Sequence, residues 1–388
     1  MKLVYLSHKI QLDPNNKQCT YFKKACGVSR FAYNWALAEW DRMYKAGEKV
    51  SEYVLDKRLN AIKREQFPWM IEVTKCAPQK AIMDLGDAFK RFFKSASGYP
   101  KYKKKGQRDS FYLTNESIRI TEKKVRIPRL GWVRMTEPLR FQGKIMSATI
   151  SRTADKWFIS IQVEMPEPPP IHTSESQAVG IDLGIRNLAT LSDGRKVAGV
   201  RPRKALASMI RRLNKSLSRK VGAKKGEKKS KNFIKTKAKL ARLHARIANI
   251  RKDAMHKLTT ELTRTYGVIG IECLDVQDMQ KTRWTAQLLE DANFYEFRRQ
   301  MEYKGRMTGA LVVIADKDIP SSRMCSECGE VLDILPLSKI KWICPVCGTH
   351  HDRDVNAAIN LKNLAVGSTV SACGECVQQG GSMKQEHN

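Results

Sequence analysis

Cys325-x-x-Cys328 and Cys344-x-x-Cys347 stand fifteen residues apart, and no other pattern in the chain restricts the local backbone as strongly. The two-residue spacing places both thiolates of a pair on one tight knuckle, and two knuckles complete a tetrahedral Zn2+ site of the zinc-ribbon type. Gly329 and Gly348 each follow the second cysteine of a pair, where a knuckle turn calls for positive φ. With all four positions filled by protein ligands, no site stays open for substrate, so the expected zinc is structural. A redox disulfide pair explains the matched spacing poorly. Cys373-x-x-Cys376 has no matching partner, and Cys19, Cys26, Cys76 and Cys273 read as buried thiols.

At 388 residues the chain is too long for one ordinary core, and two to four domains are expected. Residues 1–12 alternate loosely and read as a strand. Asp13-Pro14 reads as an N-cap with proline at the first helical position. Phe22, Cys26, Phe31, Trp35, Trp40 and Tyr44 then recur at helical spacing as a core stripe, ended by Gly47. Further helices are expected over Tyr53–Glu65 and Pro78–Phe93. From Tyr99 the texture changes to a basic, aromatic-interleaved loop and then to short alternating segments. The clearest are Ile145–Ser151 and Lys156–Glu164, joined around Ala154-Asp155, with Trp157, Ile159, Ile161 and Val163 on one face. Such strands suggest a small barrel that the helical block interrupts. Pro166-Glu-Pro-Pro-Pro170 is a stiff linker. Beyond it, strands alternate with helical patterns, which implies an α/β sheet.

Charge limits the class of partner. Lys and Arg number 71 against 39 Asp and Glu, a net +32. Self-repulsion of that size calls for a polyanion, and phosphates that release condensed counterions are the leading one. No amphipathic anchor or apolar stretch of spanning length suggests a membrane. The N-terminus lacks a signal-peptide layout, so a cytosolic protein is expected. A basic stretch runs from Arg201 to about Tyr266, broken by Gly222 and Gly226. Its second part, Asn232–Thr265, carries Leu240, Leu243, Ile247, Ile250, Met255, Leu258 and Leu262 at helical spacing. Its charges are unbalanced in sign, which favours a face turned to nucleic acid.

Three carboxylates stand out. Asp182 interrupts the apolar run Val179-Gly-Ile-Asp-Leu, where a lone charge is costly to bury. Glu272 ends the strand Val268-Ile-Gly-Ile, and Asp354 lies at the start of a short helix in His351-Asp-Arg-Asp-Val-Asn-Ala-Ala-Ile-Asn360. If they converge, three acids could hold two Mg2+ or Mn2+ ions for phosphodiester chemistry. Singly each is weak, since Glu272 could cap a strand end and Asp182 could pair with an arginine. Asp352 competes with Asp354; two residues apart on a helix, they point about 200° away from each other. Composition and spacing alone reach a nucleic-acid-binding protein with a zinc ribbon.

In this order, the motifs resemble the TnpB family of insertion-sequence proteins across nearly the whole chain. Gly180-Ile-Asp182-Leu-Gly-Ile-Arg-Asn resembles the family's first RuvC motif. Asn249-Ile-Arg-Lys-Asp253-Ala-Met-His256-Lys with Val268-Ile-Gly-Ile-Glu272-Cys-Leu resembles the second. Pro320-Ser-Ser-Arg-Met-Cys325 resembles the opening of the zinc insert, and Asp352-Arg-Asp354-Val-Asn-Ala-Ala-Ile-Asn the third motif. The acid directly before x-Asn-Ala-Ala binds metal in that family, which favours Asp354. In the second motif Glu272-Cys-Leu-Asp departs from the Glu-Asp-Leu of many relatives, but the acid is retained.

The resemblance implies a multidomain α+β protein. A β-barrel wedge domain (1–12 and 96–165) would hold an inserted helical recognition domain (13–95). A linker (166–177) would lead to an RNase H-like RuvC α/β domain (178–320 and 350–366) with a zinc-ribbon insert (321–349), then a disordered tail (367–388). It further implies RNA-guided cutting of double-stranded DNA beside a short target-adjacent motif, with Asp182, Glu272 and Asp354 as the catalytic, Mg2+-binding acids. Implied partners are a guide RNA from the transposon end (the ωRNA), one protein per RNA, and target DNA, in bacterial or archaeal cytoplasm. Tyr53, Lys75, Gln79, Thr114 and Asn115 align with motif-reading DNA contacts. Tyr99, Lys101, Lys103, Lys104 and Lys105, with the Lys/Arg run at 201–252, are expected to meet RNA or the heteroduplex backbone. A nuclease-dead, RNA-guided repressor is the alternative. Loss of an acid would mark it, and all three positions are acidic here.

Overall fold

The computed structural model describes residues 3–167, 169, 171–172, 177–221, 229–273, 291–336 and 338–379, with side chains as far as 368. The chain divides into two compact units, Met1–Glu167 and Pro168–Asn388.

The first unit is an antiparallel sheet interrupted by helices. Strand β1 (Leu3–Asp13) is followed by α1 (Asn16–Lys45), α2 (Glu52–Gln66), a 3₁₀ turn and α3 (Cys76–Phe93). Six strands complete the sheet: β2 (Ser110–Thr114), β3 (Arg119–Thr121), β4 (Lys124–Ile127), β5 (Gly131–Met135), β6 (Lys144–Thr153) and β7 (Lys156–Pro166). Their order is β2-β6-β7-β1-β5-β4-β3, so the strand before the helical block is paired inside the sheet formed after it. The β6–β7 hairpin closes with Thr153 opposite Lys156, and Ala154 takes a φ of 56° in its turn. Trp157, Ile159, Ile161 and Val163 all face the core, as strict alternation requires. Phe22 on α1 packs against Trp157 of that face, ring centroids 5.0 Å apart.

Two local expectations are corrected. The first helix is capped by Asn15, not Asp13. Asn15 Oδ1 accepts from Gln18 N at 2.9 Å, and Gln18 Oε1 accepts from Asn15 N at 3.0 Å. This reciprocal box satisfies two free donors and outcompetes Asp13, which stays in β1 opposite Arg134. Tyr44 leaves the core stripe, because the helix is near its end and its ring is 70% exposed.

The second unit is built on β8 (Ala178–Leu183), β9 (Ala189–Leu191), β10 (Lys196–Val197), β11 (Val268–Ile271) and β12 (Leu311–Ile314), in the order β10-β9-β8-β11-β12. The pairs β10–β9 and β9–β8 are antiparallel, while β8–β11 and β11–β12 are parallel. The helices are α4 (Pro202–Ala205), α5 (Ala207–Ser218), α6 (Lys231–Thr265), α7 (Phe294–Thr308) and α8 (Arg353–Gln379). A small hairpin of β13 (Lys341–Ile343) and β14 (His350–Asp352) precedes α8. No helix among the described residues is long and apolar enough to cross a membrane.

Helix α8 lies almost against the sheet backbone. Gly180 and Gly270 are register partners on β8 and β11. A Cβ on Gly180 would come within 1.8 Å of Ala358 O, and one on Gly270 within 2.1 Å of Leu361 O. Only glycine permits this approach. The helix also runs to Gln379, longer than expected. Once Ala357, Ala358, Leu361 and Ala365 bury one face, each added residue gains a backbone hydrogen bond at little cost, even in a polar, Gly-containing stretch. Along α6, Leu243, Ile247, Met255, Leu258 and Leu262 are buried, but Ile250 is exposed. Gly222, Gly226 and the last residues of the tail, 380–388, lie outside the described residues.

Candidate active site, zinc site and nucleic-acid surfaces

Two of the three singled-out acids are brought together by strand register. Ile181 on β8 pairs with Ile271 on β11, and the strands are parallel. The next residues, Asp182 and Glu272, therefore lie side by side, one strand spacing of about 4.8 Å apart. They sit at the carboxyl ends of these strands, where open α/β sheets place their sites. Asp354 enters from the first turn of α8, where the helix dipole favours a carboxylate.

Electrostatics link all three acids. The Asp182 carboxyl is pushed up to about 8, first by desolvation and then by the negative charges of Glu272 and Asp354, with Arg353 opposing. Glu272 is also raised by burial, and Arg353 again opposes. Like charges that share a desolvated pocket disfavour each other's ionisation, and a bound cation relieves that conflict. Hard carboxylate oxygens suit a divalent cation such as Mg2+ or Mn2+.

Asp352 is otherwise engaged. Its Oδ2 accepts from Lys196 Nζ at 2.8 Å and its Oδ1 from Val355 N at 3.3 Å, so it caps α8. Desolvation acts to raise its pKa, but Lys196 and the backbone donors outweigh it and hold the carboxyl below its usual value.

The four cysteines of the matched pairs converge. The sulfurs of Cys325, Cys328, Cys344 and Cys347 all lie within 4.8 Å of one another, the one group of three or more His, Cys, Asp or Glu ligand atoms drawn that close among the described residues. Cys325 N donates to Glu330 O and Gly329 N to Cys325 O, and the second knuckle repeats this with Cys344, Gly348 and Thr349. Gly329 and Gly348 have φ of 81° and 71°. Contacts with Thr349 hold the Cys347 thiol below its usual range. This donor set fits one structural Zn2+. His351 Nε2 lies 3.1 Å from Cys325 Sγ and stacks on Trp342, so a buried imidazole abuts the cluster. Of the remaining thiols, Cys26 and Cys76 are buried, while Cys19 and Cys273 are half-buried. The side chains of Cys373 and Cys376 lie outside the described residues.

The residues singled out as nucleic-acid contacts lie in the first unit. Lys75 and Gln79 line a cleft of about 200 Å³ at the start of α3 with Asp56, Asn60 and Lys63. Tyr53 is 71% exposed and shares the Asp56–Asn60 face of α2 by helical spacing. Cys76 Sγ lies 3.5 Å from Thr114 Oγ1, so the end of β2, with exposed Asn115, stands beside the start of α3.

In the basic loop, Lys101, Lys103, Lys104 and Lys105 are all exposed. Lys103 Nζ sits over the Tyr33 ring, 3.8 Å from its centroid, and desolvation lowers its pKa. Asn34 pins that residue's backbone through Lys103 N and O at 2.8 and 3.0 Å. Tyr99 packs edge-on against Phe89 and Phe92 and hydrogen-bonds Asp41, which gives its ring a structural role as well.

The sequence motifs assign no task to Asn356, Asn360, Lys196 or His351. The signal was present for the asparagines. Two amides one turn apart in an otherwise apolar helix stretch must find partners when buried.

Residues 160–283 match the family described as "Probable transposase", residues 294–361 the "Cas12f1-like, TNB domain", and residues 1–49 a "Helix-turn-helix domain". Here 1–49 form a strand and one 30-residue helix. A solved Cas12f1–sgRNA–target DNA complex superposes with a TM-score of 0.55 at 14% identity, covering 90% of this chain and 83% of that one. The fold is therefore that of the compact Cas12f1 class. The "Putative RNA-guided DNA endonuclease InsQ" of Escherichia coli (strain K12) is 36% identical over 97% of this chain and 96% of its own length. A Streptomyces pristinaespiralis protein of the same description is 33% identical over 97% of this chain and 93% of its own. The chain belongs to the TnpB family.

Proposed function

We propose that this protein is an RNA-guided DNA endonuclease of a transposable element, cutting guide-matched double-stranded DNA beside a short adjacent motif. The observation that carries this reading is the parallel register that sets Asp182 beside Glu272, with Asp354 near enough in the first turn of α8 to help raise the Asp182 carboxyl. The strand order β10-β9-β8-β11-β12, antiparallel then parallel, supports an RNase H-like domain. Two Mg2+ ions would supply an activated water and a stabilised leaving oxygen. Asp182 and Glu272 present their oxygens from rigid strand ends, and Asp354 closes the site from α8. Asp352 serves as the cap of α8 and does not bind metal.

The sequence-derived boundaries stand as part of this proposal: wedge barrel 1–12 and 96–165, helical recognition domain 13–95, linker 166–177, nuclease domain 178–320 and 350–366, and zinc ribbon 321–349. Tyr53, Lys75, Gln79, Thr114 and Asn115 read the adjacent motif. Tyr99, Lys101, Lys103, Lys104 and Lys105, and the basic face of α5 and α6, meet the RNA or the heteroduplex backbone. One protein binds one guide RNA transcribed from the transposon end, in a bacterial or archaeal cytoplasm.

The test is to purify the protein with RNA from its flanking DNA and supply Mg2+ with a plasmid library carrying a guide match beside randomised bases. RNA-dependent linearisation with an enriched adjacent motif is the expected result. Tight RNA-dependent binding without cutting would move the assignment to a guided repressor.

A further inference from the structure

Helix α8 has two flanks. One rests on Gly180 and Gly270, where Ala358 O and Leu361 O leave no room for a methyl group. The other carries Asn356 and Asn360, which are 1% and 4% exposed. Asn356 Oδ1 accepts from Ser326 N at 2.9 Å, and its Nδ2 donates to Met324 O at 2.7 Å. Asn360 Nδ2 donates to Ser321 O at 2.8 Å and to Met324 O at 2.7 Å. Met324 and Ser326 flank Cys325, so both amides grip the backbone of the first cysteine knuckle.

We infer that Asn356 and Asn360 are positioning residues through which the cysteine knuckle sets the place of Asp354 in the active site. This rests on the proposed metal-binding role of the three acids. The physical argument concerns the first turn of α8. Arg353 N donates to Ile340 O at 2.7 Å and Val355 N to Asp352 Oδ1 at 3.3 Å, so that turn takes its position from the residues around it. Asn356 is two residues beyond Asp354, so anchoring it anchors the turn that carries the acid. The anchor is only as firm as Met324–Ser326, and that segment is firm when four thiolates share one Zn2+. A carboxylate displaced by a fraction of an ångström binds a divalent cation less well, because supporting contacts tune ligand affinity by about ten- to a hundred-fold. The fold thus joins a structural zinc site to a catalytic one through two amides.

The experiment uses the full protein–guide RNA complex. Asn356→Ala, Asn360→Ala and Asn356→Asp are compared with the parent. Asp keeps the acceptor for Ser326 N and loses the donor to Met324 O. Zinc per chain is measured by mass spectrometry, Mn2+ affinity by electron paramagnetic resonance, and cutting as a function of Mg2+. The variants are expected to retain one zinc, to hold Mn2+ about ten-fold more weakly, and to need about ten-fold more Mg2+ for half-maximal cutting. Saturating Mg2+ should recover most of the rate, and the Asp variant should fall between the others and the parent. Zinc-stripped parent complex should show the same weakened Mn2+ binding. Zinc-loaded variants with unchanged Mn2+ affinity would overturn the inference, as would stripped parent that binds Mn2+ normally. If Asn356→Ala fails to fold, Asn360→Ser carries the same comparison. A parent that binds no Mn2+ would sink the active-site reading itself, a result distinct from variants that match a binding parent.

Discussion

Lys196 on β10 holds Asp352 at 2.8 Å, at the foot of the helix whose first turn carries Asp354. The pair separates two acids that the sequence leaves in competition. One is spent on an ion pair and a helix cap, and the charge of the other helps to raise the Asp182 carboxyl.

Asp352→Ala should therefore cost stability rather than chemistry. Losing the cap and a partly exposed ion pair amounts to about 1 kcal/mol. Cutting by that variant should persist, whereas Asp354→Ala should lower it by about 10³-fold or more with RNA and DNA binding intact. Cleavage time courses and filter binding on both variants check this. Lost cutting in Asp352→Ala with retained cutting in Asp354→Ala would reverse the assignment.

Asp182→Asn should abolish cutting and stabilise the metal-free protein. The folded-state pKa of Asp182 is raised from 3.8 to about 8, so the folded protein binds the extra proton between those values. Its contribution is greatest below pH 4 and is lost as pH rises towards 8. At pH 8 the neutral amide should raise the melting temperature by roughly 2–4 °C for each 1 kcal/mol relieved, a gain that shrinks at pH 5. Melting curves with chelator at both pH values read this, and Mg2+ should narrow the gap by stabilising the parent.

Gly270→Ala should damage the second unit more than a typical surface change. The added methyl would meet Leu361 O at 2.1 Å, and backbone cannot swing aside as a side chain can. Overpacking of this kind costs about 1–3 kcal/mol, and α8 must lift from the sheet to relieve it. A lowered melting temperature together with weakened cutting is expected. Gly348→Ala, where no atom lies within 4 Å, should suffer only the strain of its φ of 71°.

Cys328→Ser should release the zinc. Removing one of four thiolates leaves the knuckles unclosed, and binding energy in such sites is folding energy. Zinc content should fall from one per chain to near zero, with proteolysis newly admitted between residues 321 and 349. Full zinc retention would mean that His351, already 3.1 Å from Cys325 Sγ, takes the vacant position.

Lys75→Ala with Gln79→Ala should relax the adjacent-motif preference, since both side chains line one cleft at the start of α3. Losing base-edge contacts costs about 1–3 kcal/mol of discrimination per contact. Deep sequencing of cut library plasmids would show a flattened motif. An unchanged motif would place its readers elsewhere.

Much of this was legible without coordinates, and the reasons are local. The knuckles follow from C-x-x-C and the glycines behind each pair, because turn geometry is decided within five residues. The buried face of β7 follows from strict alternation over Trp157, Ile159, Ile161 and Val163. The first cap was misread because Asp13 and Asn15 both make good caps, and the choice fell to the pairing of β1 with β5. The sequence does not show that the exposed Lys103 has its ammonium over Tyr33, seventy positions away.

By itself the sequence determined the residue types of the chemistry: four thiolates at ribbon spacing, three acids beside apolar runs, and a charge that demands a polyanion. Tertiary structure alone decided which of them meet. The parallel register of β8 and β11 sets Asp182 beside Glu272 across 90 positions of chain. The glycine seat fixes where α8, the helix that carries Asp354, lies on that sheet. Spacing along a chain reports only neighbours within a few residues, whereas burial and like-charge repulsion depend on separation in space.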